Sequence, residues 1–76
     1  MRYITIETQT AKDGSAQIIP NLFDDKNKAE SEYHKVLQYA SVSTVHRHGC
    51  MLLTTDGEML KSEWYEHEEV DDAEQG

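Results

Sequence analysis

One stretch of helical periodicity, residues 27–42, lies between segments that are typical of strands. Within this stretch, apolar side chains recur at intervals of three and four residues, which places them on one stripe of a helix. We therefore predict a single helix with a buried stripe formed by Ala29, Tyr33, Val36, Leu37 and Ala40. Asn27, with Glu30 three residues later, is one candidate for the N-cap, and Asp25 is the competing candidate.

Strand signals precede the helix. Residues 2–10 alternate between polar and apolar side chains, and the turn chemistry around Gly14 predicts that the chain then reverses. A second strand is expected over residues 17–23, where both faces carry apolar residues. Because Pro20 has no amide hydrogen to donate, this second strand belongs at an edge of the sheet.

A second hairpin follows the helix. Residues 45–54 and 58–67 flank an Asp56-Gly57 turn, which is the strongest hairpin signal in the chain. Two hairpins on either side of one helix predict an α+β domain, β-β-α-β-β, over residues 1–67. If the first strand lies between the second and the third, the sheet is antiparallel with strand order 2-1-3-4, and the helix packs on one face.

The register of the second hairpin depends on its loop. A two-residue loop places Leu53 opposite Leu60 and Gly49 opposite Trp64, so that the indole can lie over the bare glycine backbone. A three-residue loop with Gly57 left-handed would instead mix the two faces. We prefer the two-residue loop because it sorts apolar and polar residues onto separate sides.

Strand alternation also assigns residues to the two faces of the sheet. The residues expected beneath the helix are Ile4, Ile6, Met51, Leu53, Leu60 and Trp64. The uncovered face is expected to hold Tyr3, Leu52, Met59 and Tyr65. A chain of 76 residues has a thin core and gains stability by covering apolar surface. We therefore predict a homodimer with these four residues in its interface.

The formal net charge of -8 is concentrated at the C-terminus, where six acidic residues lie among the last eleven. We predict that residues 68–76 form a disordered acidic tail; the alternative is a phosphate mimic. The seven basic residues are scattered, which argues against direct nucleic-acid binding. The sequence contains neither a signal peptide nor an apolar span of membrane length, so we expect a cytoplasmic protein without membrane contact.

Three histidines suggest one candidate site. His46 and His48 lie two residues apart on one strand face, with His67 expected across from His46. Imidazoles spaced about 6.5 to 7 Å along a strand can share a zinc ion; the alternative is that they line a polar sheet face. Cys50 shares that face, but a lone strand cysteine is most often a small buried apolar group. No catalytic motif occurs and no cofactor is predicted, so we expect a protein that is not an enzyme.

Three sequence motifs resemble those of a known group of proteins. They are Met-Arg-Tyr-Ile-Thr-Ile-Glu-Thr-Gln-Thr at residues 1–10, Asp-Asp-Lys-Asn-Lys-Ala-Glu-Ser-Glu-Tyr-His at 24–34 and Leu-Leu-Thr-Thr-Asp-Gly at 52–57. In this order they resemble small uncharacterised proteins encoded in prophage regions of Gram-positive gut bacteria. The resemblance implies a phage or mobile-element origin without a particular activity. The acidic tail departs from the usual length of that group.

Together these observations favour a non-enzymatic phage accessory protein that acts through protein contacts as a homodimer. It would be either a minor structural component of a phage or an inhibitor of a host protein. Two alternatives stay open from the sequence. One is a metal-binding module that uses the three histidines, and the other is an acidic nucleic-acid mimic that occupies a DNA-binding host protein.

Overall fold

The structure, a computed structural model, describes residues 1–67 and consists of one helix packed on a four-stranded sheet. Its elements in chain order are β1 (Tyr3–Thr10), β2 (Ala16–Phe23), α1 (Lys26–Ser41), β3 (Arg47–Thr54) and β4 (Met59–Glu66). All neighbouring strands are antiparallel, in the order β2-β1-β3-β4. The predicted α+β fold and strand order are therefore confirmed. The predicted acidic tail, residues 68–76, lies outside the described residues.

α1 begins after Asp25, whose carboxylate accepts hydrogen bonds from the backbone N–H groups of Asn27 (2.7 Å) and Lys28 (3.4 Å). Of the two candidates, Asp25 is thus the N-cap, because it satisfies donors that have no partner inside the helix. The predicted stripe is confirmed, since all five of its residues are buried. Within residues 1–67, no helix is both long enough and apolar enough to cross a membrane.

The loop between β3 and β4 has three residues, because the Thr54 N–H donates a hydrogen bond of 2.9 Å to the Glu58 carbonyl. Gly57 has a φ of 94°, the left-handed conformation that such a loop needs at its last position. A register shift follows at once: Leu53 pairs with Met59, whereas Leu52 pairs with Lys61. One extra residue, number 60, is therefore inserted into β4 as a bulge.

This bulge returns β4 to the register that a two-residue loop would have produced. Gly49 lies opposite Trp64 and Arg47 lies opposite Glu66, as predicted. The prediction of a two-residue loop with Leu53 opposite Leu60 is wrong. The extra residue lets Leu60 pack against the core under the helix, although its neighbours in β4 are mostly exposed.

The helix covers the face of the sheet opposite to the one predicted. Leu52 and Cys50 are 0% and 1% exposed, and they form one core cluster with four residues of the helix stripe, Ala29, Tyr33, Val36 and Leu37. Tyr3, Phe23 and Leu60 pack against this cluster. The placement of Tyr3 and Leu52 on the uncovered face is therefore wrong, and Leu52 is unavailable to any interface.

Most of the other residues predicted to lie beneath the helix or on the uncovered face also lie on the opposite face from the one predicted. Tyr65 pairs with His48 on the helix side, so that Met59 alone of the four predicted interface residues is on the uncovered face. Of the six residues expected beneath the helix, Leu60 alone contacts the core cluster. Both faces carry apolar residues, so alternation could not choose between them. The covered face follows from the path of the β2–α1–β3 connection over the sheet.

Candidate interaction surface

The open face is the side of the sheet that α1 leaves uncovered, and its side chains form four rows across the strands. Residues paired in register share a face, so each row takes one residue from β2, β1, β3 and β4 in turn. The rows are Leu22, Ile4, Leu53, Met59; Pro20, Ile6, Met51, Ser62; Ile18, Thr8, Gly49, Trp64; and Ala16, Thr10, Arg47, Glu66. The first three rows are apolar apart from Thr8 and Ser62.

Several large apolar side chains of the open face are in contact with solvent. Ile18 is 64% exposed, Trp64 59% and Leu22 55%. The four rows contain only two charged residues, and these neutralise each other at one end of the face, where the Arg47 guanidinium donates to the Glu66 carboxylate. An apolar patch without isolated charges is typical of a surface that contacts another protein.

Gly49 lies against Trp64, and Trp64 lines a hollow in the open face. A Cβ atom on Gly49 would lie 2.6 Å from the Trp64 Cβ and 2.7 Å from the Glu63 carbonyl oxygen, so that no larger residue fits without a shift of β4. The hollow has a volume of about 230 Å³, and Thr8, Met51 and Trp64 are among its lining residues. An exposed tryptophan beside a hollow has the character of an interface hot spot.

A polar cluster lies on the helix side of the sheet. His48 is buried, and its Nε2 atom lies 2.7 Å from the Glu7 carboxylate, which also accepts a hydrogen bond of 2.9 Å from the Gln9 amide. His48 therefore donates through Nε2, and within residues 1–67 its Nδ1 atom is buried without a hydrogen-bond partner. Sequence reasoning missed Glu7, although strand order 2-1-3-4 puts β1 beside β3 and alternation puts Glu7 and Gln9 on one face.

The three predicted metal ligands do not form a ligand set. His67 lies across from His46 as predicted, since the His67 N–H donates to the His46 carbonyl at 2.7 Å. However, the His46 Nδ1 donates to the His67 carbonyl at 3.1 Å, and the His67 Nε2 donates to the Ala40 carbonyl at 2.6 Å. The His48 ring turns instead to Glu7. The described part of the chain contains no group of three potential ligands that could hold a metal ion, so the predicted convergence is wrong.

Cys50 is a buried thiol in the core. Burial raises its pKa to about 11, and the negative charges of Glu7 and Glu32 add to the effect. The thiol donates a long hydrogen bond of 3.7 Å to the Met51 carbonyl. A protonated thiol that is 1% exposed is a poor nucleophile, which agrees with its interpretation as a small apolar core group.

The fold and this surface define a small α+β protein with one helix-covered face and one open apolar face. The chain matches no protein-family model, no curated protein and no solved structure. The resemblance to prophage-encoded proteins therefore stays a prediction. A functional assignment has to rest on the surfaces of the chain itself.

Proposed function

We propose that this chain is a non-enzymatic cytoplasmic protein that acts through protein contacts, and that its open face binds the open face of a second copy. The observation that carries the proposal is the open face, with three apolar rows and a single ion pair at one end. The phage or mobile-element origin belongs to the same proposal. The dimer would then serve as a minor phage component or as an inhibitor of a host protein.

The size of the open face supports a second copy as its partner. Four strands about 4.8 Å apart, each of eight residues at about 3.3 Å, give a flat area of about 500 Å² per copy. Two such faces bury about 1,000 Å² together, which reaches the lower limit of a specific interface. Two twisted sheets also pack well face to face, as in β-sandwiches.

The charge of the chain supports the same partner. Two copies with a net charge of -8 repel each other, so a contact between them needs a surface that is itself neutral. The open face meets this condition, because its two charges, on Arg47 and Glu66, are paired. The exposed apolar side chains then supply the favourable free energy of association, since the core under the helix is small.

The test is a charged substitution in the open face with a matched control elsewhere. Ile18→Lys places a charge in a row of the face at a residue that is 64% exposed in the single chain. Val42→Lys introduces the same residue at the C-cap of α1, where Val42 is 80% exposed. Because Ile18 occurs twice in a dimer, its replacement should raise the dissociation constant roughly 100-fold. The control should leave the dissociation constant unchanged.

Sedimentation velocity over a wide range of concentration measures this constant directly. Trp64 is the only tryptophan in the chain and lies in the third row of the open face, so its emission should shift to the blue as dimers form. A wild-type protein that stays monomeric at high micromolar concentration would contradict the proposal. A dimer that tolerates Ile18→Lys but is lost with Val42→Lys would place the interface elsewhere.

A further inference from the structure

β4 is an edge strand, and its outer row of backbone groups has no neighbouring strand within residues 1–67. It runs for eight residues and contains no proline. The other edge strand, β2, carries Pro20 in its interior, which removes one backbone donor from that edge. β4 is thus the edge at which another extended chain can form backbone hydrogen bonds, along the regular stretch of residues 61–66 that follows the bulge.

An open groove runs along this edge. It has a volume of about 280 Å³ and is lined by four consecutive residues, Ser62, Glu63, Trp64 and Tyr65. A groove lined by one strand alone follows the edge of the sheet rather than crossing a face. Trp64 and Tyr65 are 59% and 40% exposed and project to opposite sides of the sheet, so they would flank an incoming chain on both sides.

Glu63 gives the groove its charge. The Lys61 ammonium group lies 3.1 Å from the Glu30 carboxylate of α1, and Glu66 is bound to Arg47, so these charges of β4 are already compensated. Glu63 forms no ion pair in the described part of the chain. The net charge of -8 adds a long-range attraction for a basic partner.

We propose that β4 binds an extended basic segment of another protein as a fifth strand of the sheet. The side chains of an added strand alternate between the helix side, with Glu63 and Tyr65, and the open side, with Trp64. The segment that fits therefore alternates basic residues, which meet Glu63 and the ring of Tyr65, with apolar residues, which meet Trp64. A second β4 is a poorer match, because the groove residues 62–65 of a second copy include no basic side chain that could compensate Glu63.

The probe is a blocked nine-residue peptide of alternating lysine and valine, titrated into the full chain labelled with ¹⁵N. We expect amide shifts centred on residues 62–65 and slowed hydrogen exchange at alternate amides of that stretch. The same peptide with every backbone amide N-methylated has no donor on either edge and cannot form the ladder, and its affinity should fall at least about tenfold. A glutamate–valine peptide should not bind.

Two variants complete the test. Glu63→Lys should weaken binding of the lysine–valine peptide about fivefold, because an attraction becomes a repulsion. Glu58→Lys makes the same change of charge in the β3–β4 turn, outside the groove, and should alter the affinity less than twofold. Shifts centred away from residues 62–65, or equal binding of the N-methylated or glutamate peptide, would overturn the proposal. Sedimentation of the same samples reports on the open-face dimer separately, so that either proposal can fail alone.

Discussion

Leu52 and Leu53 are adjacent residues of β3 whose side chains lie on opposite faces of the sheet, and truncating each one tests which face the helix covers. Leu52 is 0% exposed in the core cluster, whereas Leu53 is partly exposed on the open face. Leu52→Ala should therefore destabilise the fold far more than Leu53→Ala. The two variants are matched, because they remove the same atoms from the same strand.

The expected difference is large for a domain of this size. Leu→Ala at a fully buried site costs about 2 to 5 kcal/mol, and the upper part of that range applies where the surroundings cannot collapse into the cavity. The total stability expected for 67 residues is about 3 to 10 kcal/mol. Leu52→Ala should thus remove about a fifth of the stability or more, whereas Leu53→Ala should cost about 1 kcal/mol.

Urea unfolding followed by far-UV circular dichroism and by Trp64 emission measures both variants. The comparison belongs at low micromolar concentration, where an open-face contact contributes least to the stability. A free energy of unfolding that is lowered as much by Leu53→Ala as by Leu52→Ala would refute the assignment of the two faces. The proposed open-face dimer would bury this side chain, so on that proposal the cost of Leu53→Ala should increase at high concentration.

Three further outcomes follow from single sites. Gly49→Ala should lower the stability by about 1 to 3 kcal/mol in thermal or urea unfolding, because its Cβ would collide with Trp64; an unchanged midpoint would show that β4 shifts without cost. Asp25→Ala should cost about 1 kcal/mol and reduce the helical signal, whereas Asn27→Ala should cost less, since Asp25 is the cap. Burial raises the pKa of Cys50 from 9.0 to about 11, so the thiol of the unfolded chain loses its proton at a lower pH than the thiol of the folded chain. The free energy of unfolding should therefore decline as the pH rises from 9 towards 11, and Cys50→Ala should make this decline smaller.

The β3–β4 hairpin shows which features of the fold local sequence signals can predict. Asp56 and Gly57 marked the turn correctly, and the register of Gly49 against Trp64 followed from sorting apolar residues onto one side. The loop itself could not be predicted, because two compensating irregularities, a three-residue loop and a bulge at Leu60, lead to the same register further along. The bulge accompanies the packing of Leu60 against the core, a tertiary contact that local sequence signals do not contain.

The candidate site was less accessible to prediction than the fold. The sequence indicated an uncovered apolar face, and the structure contains one, but of the residues named for it only Met59 is there. His67 lies across from His46 as predicted, but both residues lie just outside β3 and β4, and the hydrogen-bond partners of the three rings were not predicted. The His48 ring forms a hydrogen bond to the Glu7 carboxylate, and the rings of His46 and His67 form hydrogen bonds to the carbonyls of His67 and Ala40, respectively. Each partner is more than 20 residues away along the chain, so local sequence signals do not reveal it.

The sequence by itself determined the element order, the strand order and the buried stripe of the helix, because these depend on periodicity, turn residues and short connections. Only the tertiary structure decided which face of the sheet the helix covers, because both faces are apolar enough to form a core and the path of the connection selects one. That selection buries Leu52 and leaves Trp64, Ile18 and Leu22 in solvent. The surface available for binding is therefore a consequence of how the helix packs.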